Sequence, residues 1–198
     1  MKRPYPGYDV LSKWRTPSFD DLTRTVLTRR LTELPARRFF SDSEYALLQV
    51  IAERILPQPD RSEPVPIALW IDARLAEDAG EGFRYDGMPP QQAAWRLGLA
   101  GIDAEALRRF AAAFSDLGPE AQEEVLRSVQ AGDVDPATWG GMDPCRFFRD
   151  ELLIAVVGVY YAHPAAWSEI GFGGPASPRG YVRLGFDERD PWEAELET

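Results

Sequence analysis

Two side chains in this chain of 198 residues have the chemistry of a nucleophile and its base: the single cysteine, Cys145, and the single histidine, His163. A thiol activated by imidazole needs it within hydrogen-bond reach. The apolar pattern predicts one helix from Asp143-Pro144 through Tyr161, with Cys145 and His163 at its opposite ends. Eighteen residues of helix separate them by roughly 27 Å. The pairing fails on distance. A serine nucleophile needs a Gly-x-Ser-x-Gly elbow, which the sequence lacks. One Cys and one His cannot build a zinc cluster, and the carboxylates lack the spacing of a calcium loop or of a di-iron bundle. The run FGGPASPRG at 172–180 is glycine-rich but does not stand between a strand and a helix, as phosphate-cradling loops do. No catalytic, cofactor or metal residue is predicted.

What remains is an aromatic and Gly/Pro-rich stretch, AHPAAWSEIGFGGPASPRGYVRLG, at 162–185. Tyrosine and tryptophan are common interface anchors, and glycine lets another backbone approach closely. The stretch therefore reads as a contact surface, with Trp167 as the anchor and Tyr181 second. Self-packing of Trp167 onto the chain's own helices is the alternative. His163 reads as a cap at the C-terminus of the preceding helix, where the dipole favours a cation. Of Tyr160 and Tyr161, one ring is expected to be buried and the other to face outward. A pocket around His163 and Tyr160/Tyr161, serving a stand-alone enzyme or small-molecule binder, is the other functional reading.

The elements that must position this stretch read almost entirely as helix. Residues 1–18, with three prolines and no clear period, predict an extended arm. A helix follows from about Asp20 to Leu34 with the stripe Leu22, Val26, Leu27 and Leu31. Ser41-Asp42-Ser43-Glu44 has the form of a capping box, with Phe40 and Tyr45 at the staple positions. Its helix carries Leu47, Leu48, Ile51 and Ile55 and stops at Pro57. A third helix is expected from Ile67 to about Ala79. Pro90–Leu97 predicts a short helical piece ending before Gly98 and Gly101. Asp103 then reads as the cap of a helix whose core face is Leu107, Phe110, Phe114 and Leu117. Gly118-Pro119 opens another to about Gln130. In the last and most apolar helix, Phe148, Leu152, Ala155 and Val159 form one face. The fold class is all-α: a single irregular domain of about six or seven helices over residues 19–185. An extended arm precedes it, an irregular C-terminal segment ends it, and an acidic tail covers 186–198.

Composition narrows the function further. Hydrophobic residues make up 44% of the chain, enough for a packed core. The net charge of −10 argues against nucleic acid as a partner, since phosphate binding calls for a basic surface. Residues 1–40 hold nine Lys/Arg against four Asp/Glu, a local +5 that leaves −15 for the remainder. The longest apolar run, Leu152–Ala162, is far short of the roughly 20 residues of a bilayer span, so no direct membrane insertion is expected. A lone cysteine leaves a reduced compartment or a bond to another chain. No signal peptide is visible, and Arg29-Arg30 lacks the apolar run of an export signal. The expected location is the cytoplasm as synthesised, and the periplasm if a signal-bearing partner carries the chain out.

The same residues carry a family resemblance. IAERILP at 51–57 and VVGVYYAHPAAWSEIGFGGPASPRGY, ending at Tyr181, resemble the gluconate 2-dehydrogenase subunit 3 family. The likeness runs from about Arg38 to Tyr181. Tyr160, Tyr161, His163, Pro164, Trp167, Gly171, Gly174 and Pro175 fall where the family pattern has them. The resemblance implies a non-catalytic accessory subunit that binds and helps assemble an FAD-dependent dehydrogenase of the glucose-methanol-choline type, acting on a sugar or polyol. FAD would sit in that partner, with no cofactor in this chain, and a cytochrome c subunit often completes such complexes. The partner-binding set is then Tyr160, Tyr161, His163, Trp167, Gly171, Phe172, Gly174, Pro175 and Tyr181.

Overall fold

The computed structural model describes residues 5–16, 18–78, 85–175 and 194–195. Among them every regular element is helical and no strand occurs, as the apolar periodicity requires. The α-helices are α1 (Asp21–Thr32), α2 (Asp42–Ile55), α3 (Ile67–Glu77), α4 (Gln91–Phe110), α5 (Pro119–Ala131), α6 (Pro144–Arg146) and α7 (Ile154–Ala162). A π-helical stretch, Phe147–Leu153, joins α6 to α7. Two compact units result, Pro35–Val159 and Met1–Leu34 with Tyr160–Thr198.

In the 35–159 unit, α4 is the central element. It packs against α2, α5 and the π-helical stretch. Gly98 and Gly101 do not break it, contrary to the expectation of two shorter helices. A methyl group at Gly98 would overlap the Phe147 ring, and one at Gly101 would lie 2.7 Å from Cε2 of Trp139. The glycines admit two aromatic rings, and the packing outweighs their low helix propensity of about 1 kcal/mol each. The continuous helix turns a different face inward. Trp95, Leu99, Ile102 and Ala106 are buried, whereas Leu107 and Phe110, predicted to be core, are exposed. Asp103 is correspondingly not an N-cap. It lies inside α4, and its carboxylate accepts from the Phe114 N–H at 2.8 Å.

The capping box at α2 forms as expected. Ser41 Oγ accepts from the Glu44 N–H, and Glu44 accepts from the Ser41 N–H at 2.9 Å. Just before it, the buried Asp72 carboxylate of α3 accepts from three successive backbone N–H groups. These are Arg38 at 2.6 Å, Phe39 at 3.1 Å and Phe40 at 2.8 Å. The helix α3 ends at Glu77, with Asp78 left-handed at φ 47°. On the last helix, Phe148, Leu152 and Val159 are buried as predicted, and so are Phe147, Val156 and Tyr160. Ala155 is only half-buried. The wider π turn shifts the side-chain register from the one a regular helix would give.

The second unit has its own small core of Val10, Phe19, Leu27 and Trp167. The arm is not extended where it is described, because Val10–Arg15 forms a 3-10 helix capped by the Asp9 carboxylate. Only one residue of the predicted α1 stripe, Leu27, is fully buried. Leu22 is 73% and Val26 41% exposed, and the inward pair is Thr23 and Leu27, one turn apart.

The cluster at the end of α4 contributes to the pH response. Buried Glu105 accepts from Arg108 Nε at 2.9 Å and from Arg109, which also donates to Asp133 beyond α5. Burial alone would raise the Glu105 carboxyl, but the two guanidinium bonds outweigh it and hold the group below its ordinary 4.5. A depressed folded value adds stability above the unfolded one, lost as pH falls through the folded value. Stabilities of wild type and Glu105→Gln should therefore converge as pH drops below 4.5; a gap unchanged into strong acid would contradict the charge-paired arrangement. Phe148→Ala and Leu152→Ala should each cost about 2–5 kcal/mol in denaturant unfolding. Losses below about 0.5 kcal/mol at both would place that face in solvent.

Candidate functional site

The segment after α7 begins with a polar turn built by its own side chains. Pro164 fixes the backbone at the first position of a 3-10 helix, Pro164–Ile170. His163 Nδ1 accepts from the Ala165 N–H at 3.4 Å. The histidine thus caps the start of this helix rather than the end of α7, because the chain turns at His163 and the nearest unsatisfied groups are donors. The imidazole has a structural task.

Trp167 is 4% exposed. Its Nε1–H donates to the Tyr161 carbonyl at 2.8 Å, and its ring meets Phe172 edge-on at 5.2 Å. The indole packs with Val10, Phe19 and Leu27. Of the two readings open for Trp167, the structure takes self-packing. Tyr160 is the buried member of the tyrosine pair, and its hydroxyl contacts Glu169 Oε2 at 2.7 Å. Tyr161 is half-buried and meets it edge-on at 5.0 Å.

The glycines shape the turn that follows. Gly171 ends the 3-10 helix at φ 66°, and a side chain there would strike the Tyr5 ring at 2.7 Å. Gly174 is buried at φ 79°, and a Cβ would lie 3.0 Å from Phe19. Buried Lys13 donates to the Gly173 carbonyl at 3.3 Å, so the N-terminal stretch holds this turn by its backbone. Pro175 follows half-buried. Tyr181 lies outside the described residues, as do 176–193.

The structure therefore brings Tyr160, Tyr161, His163, Trp167, Gly171, Phe172, Gly174 and Pro175 together in one turn, yet most of their surface faces inward. Phe172 remains 39% exposed, and beside it Ile170 is 45% exposed. Ile170 escaped the sequence reading, although an apolar residue next to a helix-ending glycine was the available signal. Neither of the two described cavities is lined by His163, Tyr160 or Tyr161. Among the described residues no group of three or more His, Cys, Asp or Glu side chains is placed to hold a metal ion. No described helix is long and apolar enough to cross a membrane.

The sequence pattern of gluconate 2-dehydrogenase subunit 3 matches residues 42–174, more than half of the chain. The chain belongs to that family. No curated protein and no solved structure matches it. The matched region of this subunit-3 chain opens on the first residue of α2 and closes on the buried Gly174. It thus includes the whole helical 35–159 core except its first residues, and the turn just described.

The burial pattern separates two roles within the turn. Trp167→Ala should lower the melting temperature of the isolated subunit sharply, by a loss of about 3–5 kcal/mol. Ile170→Ala should leave stability within about 1 kcal/mol. Thermal unfolding of both variants checks this, and an unaffected Trp167→Ala protein would contradict the core assignment.

Proposed function

We propose that this chain is a non-catalytic accessory subunit that binds an FAD-dependent dehydrogenase of the glucose-methanol-choline type and helps it assemble or stay folded. The observation that carries the reading is the family match over residues 42–174, since the family is named for a subunit of a dehydrogenase complex. The geometry of the turn supports it. His163 Nδ1, Trp167 Nε1 and the Tyr160 hydroxyl are each engaged within the chain's own fold, so the side chains that could do chemistry serve to hold a shape. A surface used for docking needs shape and apolar contact rather than an activated acid or base. Phe172 and Ile170 supply that contact from a backbone fixed by Trp167 and Gly171.

In this proposal the flavin sits in the partner, a sugar or polyol is oxidised there, and a cytochrome c subunit takes the electrons. The chain needs no cofactor of its own. The chain works where that partner works, in the periplasm if the partner is exported.

Expressed alone, the protein should be colourless and inactive on sugars with artificial electron acceptors. Expressed with an FAD-dependent dehydrogenase of the glucose-methanol-choline type from the same genome, the chain should co-purify with it, and flavin should appear in stoichiometric amount. A flavin or haem spectrum in the isolated chain would overturn the proposal. So would a fully active flavoprotein that never associates with it.

A further inference from the structure

The connection from α2 to α3 carries four prolines, Pro57, Pro59, Pro64 and Pro66. Proline fixes its own backbone angle and holds the residue before it extended, so this loop has little freedom to lose. Gln58 closes it. Its amide donates to the Val65 carbonyl at 3.1 Å and accepts from the Val65 N–H at 2.8 Å. Between the loop and α2 lies a groove of about 440 Å³, wholly inside the 35–159 unit. The four prolines line its loop side, and Leu56 with Tyr45, Gln49 and Glu53 lines its α2 side. The three polar residues follow one another at intervals of four along the helix. Among the described residues, none of their side chains makes a hydrogen bond or an ion pair. The Tyr45 ring meets the Arg37 guanidinium at 5.1 Å, and Arg37 is itself paired with Asp42. Burial raises the Tyr45 phenol above its ordinary 10, so its hydroxyl remains a donor. The charge of the groove is one-sided. Besides Glu53, the exposed Asp60 and Glu63 stand on its loop, and among the described residues neither is ion-paired. Against these carboxylates the loop carries one cation, Arg61, which is already engaged. Arg54, next to Glu53, donates to Gln122 of α5 at 3.1 Å.

We propose that this groove is a docking site for an extended segment of the dehydrogenase subunit that carries a lysine or arginine. Side chains one helical turn apart form a row with a spacing of about 6 Å. An extended chain advances about 6–7 Å every two residues, so alternate peptide groups of the segment fall in register with the row. The Tyr45 hydroxyl donates to one carbonyl, the Gln49 amide bonds the next peptide group in register, and the cation meets Glu53. Apolar side chains of the segment lie against Leu56 and the prolines. Because the loop is already fixed, docking orders the segment alone, and the charge pair adds register and association rate. The inference rests on the accessory-subunit reading and adds where on the 35–159 unit the partner sits.

The test uses the full chain co-expressed with an FAD-dependent dehydrogenase of the glucose-methanol-choline type from the same genome. The readouts are thermal unfolding of the isolated subunit and its affinity for the purified partner. Glu53→Lys reverses an exposed charge on a helix, so the melting temperature should hold while capture weakens tenfold or more. Tyr45→Phe removes only a hydroxyl and should weaken capture several-fold. Wild-type binding should weaken as salt rises, and less steeply for Glu53→Gln. If Glu53→Lys fails to fold, Glu53→Gln replaces it, with a several-fold loss of capture expected. Undiminished capture by the folded variants overturns the groove while leaving the accessory role intact. Equal weakening by Glu120→Lys, a reversal at the start of α5 outside the groove, makes the loss one of net charge and overturns the site. Failure of the wild-type chain to bind the flavoprotein at all overturns both. Self-association of the wild-type chain that Glu53→Lys abolishes, with partner capture untouched, assigns the groove to a second copy and overturns the proposal.

Discussion

Two aromatic rings occupy the space left by the missing side chains of Gly98 and Gly101, and much of the 35–159 unit follows from that contact. The Phe147 ring covers Gly98, meets Trp95 edge-on at 5.8 Å and lies 6.0 Å from Trp139, which covers Gly101. Such close approach is possible only where the helix carries no Cβ. The propensity cost in α4 is therefore offset by ring packing that no larger residue would allow. The same contact anchors the start of the π-helical stretch at Phe147. From there the shifted register buries Leu152 and Val156 and leaves Ile154 facing outward.

A second constraint is electrostatic. Asp72 stands inside an apolar helix between Ile71 and Ala73, a costly place for a charge unless it is fully hydrogen-bonded. Three consecutive backbone N–H groups, from Arg38 to Phe40, satisfy it. Their donation fixes the entry to α2 immediately before the Ser41 capping box, so the chain's direction there is set from both sides. Charge-assisted bonds of this kind are stronger than neutral ones, and the segment they hold contains no regular element of its own. Loop geometry at this point is imposed by a helix 32 to 34 residues away.

What could be read in the sequence was whatever depends on neighbours along the chain. The capping box at Ser41 and Glu44, the Gly118-Pro119 start of α5 and the Asp143-Pro144 start of α6 are local devices, and all three form. So is the all-α class, which follows from period alone. The misreadings are tertiary. Gly98 and Gly101 looked like breakers because the rings that fill them, Phe147 and Trp139, lie far along the chain, beyond α5. Leu22, Val26, Leu107 and Phe110 looked like core because their spacing fits a helical stripe, but spacing cannot say which stripe meets a partner element. At the turn, the grouping of His163, Trp167 and the glycines was legible as a unit. The direction of their side chains was not, since Val10, Lys13 and Phe19, which enclose it, come from the other end of the chain.

Under the proposed docking role, the inward orientation of these side chains would let the segment specify a contact without touching much of it. A flexible turn would have to be ordered on binding, at a cost for each side chain and each backbone residue immobilised. Here the ordering is already done on folding. The Trp167 indole is bonded at Nε1 and packed in a core with Val10, Phe19 and Leu27 and against the Phe172 ring, and Gly171 and Gly174 take left-handed angles that a residue with a side chain would resist. Ile170 and Phe172, which are exposed, are therefore presented in one orientation. A residue that never meets the partner can then be as necessary to recognition as one that does, because it sets the geometry from which contact is made. Under that proposal the buried Trp167 and the left-handed Gly171 and Gly174 hold the shape, and the exposed Ile170 and Phe172 between them would make the contact.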